Sequence, residues 1–380
     1  MPPTSAAHLR AHDYRYLIER WRVVAKRAGI PLRRLVRADG YDLYALVTPA
    51  LSLPNGPGLT AAIPKTLPPC EVQPRSQARS EVQLRNEGEN EEPRLERSER
   101  SRASEPSRRR GCERPRATTD TKNQDSSGAR GLAVASPQGA SGGEQQLIPF
   151  GVYVSAGIHG DEPASTEGLL AWAEAQSPGR FRKLPLLLLP CLNPWGLVNN
   201  RRCTETGLDL NRSFHLEKTL PIIGAVKALV AREMNRTRTG DRTGEPPRPR
   251  PRSFAASLML HEDYDGQGVY LYEVARSNRG VNNRKDTTCP WGEALLTAAR
   301  AHLPTDPRPK IDGRKVAAGV HRRRIDFKRF AKIGYPEAIW LHLEHSERTF
   351  TVETPSEFAI EQRVAAQVAM IEKTIENATA

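Results

Sequence analysis

Residues 151–165 read GVYVSAGIHGDEPAS, an apolar strand running straight into a tight turn that carries His159 and Glu162 with two residues between them. An imidazole and a carboxylate that close can reach one divalent metal from a single turn. The stretch decides the fold because it places those groups past the C-terminal end of a strand, where open α/β sheets bind their ligands. A lone His-x-x-Glu is more often a surface turn. A catalytic zinc needs three protein ligands and an open position for water, so the reading depends on where a third ligand lies.

His261 is the candidate. It ends the run FAASLMLHED, residues 254–263, in which Phe254, Leu258, Met259 and Leu260 leave little polar surface, so the run reads as a second buried strand. Two such strand ends side by side would bring His159, Glu162 and His261 within roughly 2 Å of one ion.

Between the two ligand segments lies NPWGLVNNRRCTETGLDLNRSF, residues 193–214. Here the chain resembles the zinc metallocarboxypeptidases of the carboxypeptidase A type. That family shows His-x-x-Glu, Asn-Pro-x-Gly, an arginine, an Asp-x-Asn-Arg block, a distal histidine and a late glutamate, and this sequence has all of them in that order. The resemblance implies a mixed, mostly parallel α/β sheet flanked by helices and one Zn2+ per chain held by His159, Glu162 and His261. It implies that Arg202 polarises the scissile carbonyl, that Asn211 and Arg212 grip a terminal carboxylate, and that Glu353, in TFTVETPSE, is the general base. It further implies that Asp209 orients His159 from behind the metal. The implied substrate is a peptide with a free C-terminal carboxylate.

Each role has a physical reason. A carboxylate beside zinc-activated water can take the proton as the amide carbon is attacked and return it to the leaving amine. Glu353 follows the β-prone run Thr349–Val352, which would hold it rigidly at a strand end. Arg202 offers permanent positive charge where an oxyanion develops, an interaction that strengthens along the reaction. Arg201 is its neighbour, and counting back from the Asp-x-Asn-Arg block favours Arg202. Arg212 presents a planar fork suited to two parallel hydrogen bonds with a carboxylate, and Asn211 adds an amide donor. An aspartate that accepts the outer N–H of a metal-bound imidazole fixes its tautomer.

The chain departs from the family pattern in places. Trp195 stands where relatives commonly have aspartate, and Glu262 and Asp263 follow His261 in place of small polar residues. The acidic pair either binds an amine-bearing group or orients neighbouring arginines, the structural reading being favoured. Tyr335 and Tyr272 both lie where a tyrosine could close over substrate. The specificity pocket is expected from loops between about 286 and 336.

A second resemblance, to the aspartoacylase and succinylglutamate desuccinylase deacylases, shares the His-x-x-Glu, the Asp-Leu-Asn-Arg block and the late glutamate. Those enzymes cleave an N-acyl amino acid and usually carry a β-rich region beyond the glutamate, whereas residues 354–380 read as helix. The peptidase reading is therefore favoured over the deacylase.

Composition bounds the rest. The 380 residues are only 38% hydrophobic and carry a formal net charge of +13, with a pI near 9.7. Residues 51–146 are rich in Arg, Glu, Ser and Pro and nearly devoid of aromatics, so they cannot bury enough apolar surface to offset their ordering entropy. They read as a disordered polyampholyte insertion. The organisation expected is an N-terminal helix and strands over 1–50, this insertion over 51–146, and a catalytic domain over 147–380 with a polar insertion near 237–253.

Leu17, Trp21 and Val24 share one face of a first helix, and two short strands follow around an Asp-Gly turn. Further expectations are a helix over 163–175 with proline in its first turn, a strand at LPLLLLP, and a helix over 221–234. Strands are expected over 269–273, 338–343 and 348–352, then a final helix near 357–375.

The positive charge would concentrate acidic peptides, and it lacks any recognised nucleic-acid motif, so no specific nucleic acid is expected. With neither a signal-like core nor a spanning apolar run, the reading is a cytoplasmic protein with no membrane association. Five cysteines without Cys-x-x-Cys spacing read as free buried thiols. The oligomeric state is not specified.

Overall fold

The computed structural model describes residues 10–52, 148–149, 151–216, 220–235, 252–275, 291–322, 325, 330 and 334–379. The insertion expected over 51–146 lies outside the described residues from 53 onward, and so does most of the second polar insertion.

Helix α1 (Tyr14–Ala28) is capped by Asp13, whose side chain accepts from the Tyr16 N–H, and it ends at Gly29 in the left-handed conformation. Leu17, Trp21 and Val24 are among its buried residues, as their spacing requires. Strands β1 (Leu32–Ala38) and β2 (Tyr41–Val47) pair antiparallel around Asp39 and Gly40, both at positive φ, the conformation of a tight hairpin turn. One helical turn follows, α2 (Pro49–Ser52).

The second part of the chain supplies β3 (Ile148–Pro149), β4 (Val152–Ser155), α3 (Pro163–Ala175), α4 (Pro178–Lys183) and β5 (Leu186–Leu189). Then come α5 (Pro194–Asn199), a 3-10 turn at Leu210–Arg212, α6 (Pro221–Met234), β6 (Arg252–Ser253), β7 (Ala256–Asp263) and β8 (Tyr270–Ala275). Helix α7 (Trp291–Ala299) precedes β9 (Lys310–Ile311), β10 (Arg314–Lys315) and β11 (Val320–Arg322). The chain closes with α8 (Glu337–Glu344), β12 (Arg348–Pro355) and α9 (Ile360–Thr379).

The main sheet has eight strands in the order β1-β2-β5-β4-β7-β12-β8-β11. Pairing is parallel from β5 through β4 and β7 to β12 and again between β8 and β11, and antiparallel at β1/β2, β2/β5 and β12/β8. The mixed, mostly parallel sheet read from the sequence is what forms. Alternation along each strand feeds two cores. Val152, Val154, Leu186, Leu188, Leu258, Phe350 and Val352 pack with α1, α3 and α9 residues on one face. Tyr153, Leu187, Leu189 and Met259 pack with α6 and α8 residues on the other.

Helices α3 and α6 span the residues expected of them. The run 338–343 does not form the expected strand: it lies within α8. Its adjacent buried residues Ile339, Trp340 and Leu341 obscure any periodicity, while Pro336 and Glu337 provide the helix start that outweighs the apolar run. Cys191 is a free buried thiol, but Cys203 is disulfide-bonded, so the expectation of free thiols does not extend to it.

The topology positions a site. The chain leaves β4 toward β5 on one side and leaves its neighbour β7 toward β8 on the other, which opens a crevice at the carboxyl ends of the two strands. Strands β4, β7 and β12 are mutually parallel, and their C-terminal ends share that edge.

Candidate active site

The His-x-x-Glu turn follows β4 and leads into α3, with Pro163 in the helix's first turn. Gly160 lets this turn lie against the Asn-Pro-Trp-Gly segment: a Cβ there would sit 1.9 Å from the Gly196 carbonyl carbon. Its N–H donates to the Arg201 carbonyl, 3.1 Å away. Asn193 caps α5 by accepting from the Gly196 N–H (2.9 Å) and donates to the Arg202 carbonyl (3.2 Å). The motif thus fixes the backbone from which Arg202 projects.

His159, Glu162 and His261 converge, each at least 97% buried. Their ligand atoms lie within 4.8 Å of one another. Nδ1 of His159 is 2.6 Å from one Glu162 oxygen and Nδ1 of His261 is 2.8 Å from the other. Burial, the largest influence, disfavours charge on His159, yet the Glu162 and Asp209 carboxylates together outweigh it and raise the imidazole's pKa. Burial likewise works against ionised Glu162, but the two histidines hold it below the usual carboxylate range. Two imidazoles with ring nitrogens turned on one buried carboxylate are a donor set that fits a divalent metal, which replaces the protons shared there.

Asp209 stands behind His159, with Oδ1 3.3 Å from Nε2. Its other oxygen accepts from Arg202 Nε at 3.2 Å and Nη2 at 3.1 Å. Burial would raise the Asp209 carboxyl, but His159 and Arg202 hold it well below its ordinary range. Arg202 also approaches Glu162, Nη1 to Oε1 at 3.7 Å.

One cavity of about 220 Å³ is lined by His159, Glu162, His261, Arg202, Asn211, Arg212 and Glu353, among others. Arg201 is not among its lining residues. Glu353 is paired with His261 across β12 and β7 and with Tyr270 across β12 and β8. Burial and the nearby Glu162 and Asp263 carboxylates push Glu353 up to about 8, against the pull of His261 and Arg202.

The acidic pair after His261 is engaged structurally. Glu262 takes Arg363 Nη1 on both oxygens (2.8 and 2.9 Å), and Asp263 accepts from the Tyr270 hydroxyl (2.9 Å) and from Arg308 (3.4 Å). Tyr272 lines the cavity, whereas Tyr335 packs beside Phe330 and His215. The lining comes as much from β8, α8 and β12 (Tyr272, Val274, Ile339, Thr351) as from the loops expected to provide it. Sequence reading missed Tyr270, Asp312 and Thr351 here. Tyr270 and Thr351 carried a signal, since alternation puts them on the face of Glu353 once the strands are paired.

Residues 151–245 match the family model of the succinylglutamate desuccinylase/aspartoacylase catalytic domain. No curated protein matches the chain in a sequence comparison. Among solved structures, one from Shewanella denitrificans OS217, described as a candidate metallopeptidase, is similar at 15% identity and a TM-score of 0.55, over 97% of this chain and 92% of that one. Another so described, from Shewanella amazonensis SB2B, gives 15% identity and 0.56 over 97% and 94%. A third, from Shewanella baltica OS155, gives 16% and 0.55 over 97% and 93%. At these identities the structures show the fold. Both resemblances read from the sequence, to metallopeptidases and to deacylases, stand. The matched segment is similar to a hydrolase catalytic domain, the fold is similar to that of the structures described as candidate metallopeptidases, and the buried donor set fits a metal ion. No helix among the described residues is long and apolar enough to cross a membrane.

Proposed function

We propose that the chain is a zinc carboxypeptidase that hydrolyses the C-terminal peptide bond of a peptide. The observation that carries this reading is the composition of one cavity, which is lined by the buried His-Glu-His donor set, Glu353, Asn211 and Arg212 together. A carboxylate bound by Asn211 and Arg212 would bring the adjacent amide into the cavity that holds the donor set and Glu353.

His159, Glu162 and His261 would hold the ion, which when bound acidifies water and polarises a carbonyl. Glu353 accepts the proton of the attacking water and delivers it to the departing amine nitrogen, a transfer its place level with His261 on β12 allows. Arg202, held by Asp209, places positive charge where the carbonyl oxygen becomes anionic. Asp209 keeps the outer nitrogen of His159 engaged, so that Nδ1 faces the donor set. Arg212 and Asn211 bind the terminal carboxylate and set the register of the scissile bond. We read the protein as cytoplasmic and the substrate as a soluble peptide.

A second reading, an N-acyl amino acid deacylase, is favoured by the family match over residues 151–245. It uses the same machinery on a smaller amide. Zinc-loaded protein assayed against peptides with free or amidated C-termini and against N-acyl amino acids separates the two. Cleavage confined to N-acyl amino acids overturns the peptidase reading.

A further inference from the structure

Glu337 is fully buried at the first position of α8, and none of the roles above uses it. Its carboxyl group accepts hydrogen bonds from the Tyr153 hydroxyl and, at 3.1 Å, from the Ser155 hydroxyl. Both lie on β4, the strand that leads into the His159 turn. Burying an ionisable group in a core is costly, and an apolar residue could hold a helix against a sheet without that cost.

What distinguishes the position is its main chain. The Glu337 N–H donates to Oδ1 of Asn211 at 3.0 Å. A side-chain amide has one accepting end and one donating end, so committing the oxygen decides where the nitrogen points. The opposite rotamer would set an NH2 group against the Glu337 N–H, donor against donor. Asn211 is pinned from its other side as well, since its own N–H donates to Asp209 at 2.8 Å. With backbone and oxygen both held, the Nδ2 donor is left for the cavity that Asn211 lines.

We propose that Glu337 is a positioning residue: its carboxyl clamps the start of α8 to β4, and its N–H turns the Asn211 amide so that a donor faces the substrate carboxylate. The proposal rests on the carboxypeptidase reading for what that donor binds. It also couples the carboxylate pocket to the metal-donor strand through one side chain.

The test is a double-mutant cycle in zinc-loaded protein, with KM and kcat measured on a matched pair of peptides bearing free and amidated C-termini. Glu337→Ala should raise KM for the free acid by about tenfold, one neutral hydrogen bond's worth, with kcat changed by less than about twofold. The amidated peptide should be unaffected, so the preference narrows. Glu337→Ala combined with Asn211→Ala should be no worse than Asn211→Ala alone. Glu337→Gln, which keeps an oxygen for the hydroxyls, should recover most of the loss.

Additive effects, or an equal fall in kcat on both peptides, would overturn the proposal and leave Glu337 as a packing residue. Should Glu337→Ala fail to fold, Tyr153→Phe removes one arm of the clamp and enters the same cycle. An independent readout is the Asn211 side-chain amide resonance, assigned by its loss in Asn211→Ala. It must shift in Glu337→Ala (or Tyr153→Phe), and an unmoved resonance overturns the proposal. If the parent protein treats free and amidated peptides alike, the carboxylate reading fails, while the resonance still decides whether Glu337 orients the amide.

Discussion

Glu353 stands directly opposite His261 in the parallel pairing of β12 with β7. Residues facing each other across paired strands project to the same side of the sheet, so the proposed base and a proposed metal ligand are held at one level by backbone hydrogen bonds rather than by a loop.

From that relationship, Glu353→Gln should abolish turnover, by about 10²- to 10⁴-fold, without releasing metal. Steady-state rates paired with metal analysis by emission spectrometry check it. Full turnover with one bound ion would remove Glu353 from the chemistry.

Glu162 faces both histidines, so Glu162→Gln should lose stoichiometric zinc as well as activity, and chelation should inactivate the parent protein reversibly. Zinc content after dialysis, and activity after zinc is restored, are the measurements. An enzyme that stays active under exhaustive chelation would sink the metal assignment.

On the carboxypeptidase reading, Arg212 would be the bidentate cation for the substrate's terminal carboxylate. Arg212→Met should raise KM for free C-termini by about 30-fold or more, in line with the loss of a charge-assisted pair, and leave amidated peptides untouched. If amidated peptides are hydrolysed as well as free ones by the parent protein, Arg212 does something else.

Gly160→Ala tests the contact between the His159–Glu162 turn and α5. The added methyl would overlap the backbone of Gly196 and Leu197, which has no flexible end to move aside. We expect a loss of about 1–3 kcal/mol in denaturant unfolding together with weakened zinc binding. Parent-like stability would mean the two segments can separate freely.

Burial pushes the Glu337 carboxyl up to about 7, with the Tyr153 and Ser155 hydroxyls pulling the other way. A carboxyl whose folded-state pKa is raised contributes stability that is fully present below its ordinary range and is lost as pH rises through about 7. Between about pH 5 and about pH 8 the parent should therefore lose more stability than Glu337→Gln, by on the order of 3 kcal/mol. Urea titrations of both proteins across that range measure the difference, and parallel curves would refute it.

How much of this was legible in the chain differs residue by residue. The spacing of His159 and Glu162 lies within one turn, so their shared target could be read directly. Helix α6 could be bounded from Pro221 and its apolar pattern. Helix α8 could not, because four consecutive buried residues, Ile339 to His342, obscure the helical period. Glu337 immediately precedes that misread run, and its partners Tyr153, Ser155 and Asn211 are distant in sequence.

The sequence by itself determined the chemical inventory, its order, and every relation confined to a turn or to one strand's alternation, because side-chain identity and local spacing are covalent facts. Only the tertiary structure decided that Arg202 and not Arg201 enters the cavity, that Asp209 serves both His159 and Arg202, and that Glu353 falls level with His261. Those relations depend on strand order and register, which are set by burying two faces of the sheet at once and are written in no single stretch of the chain.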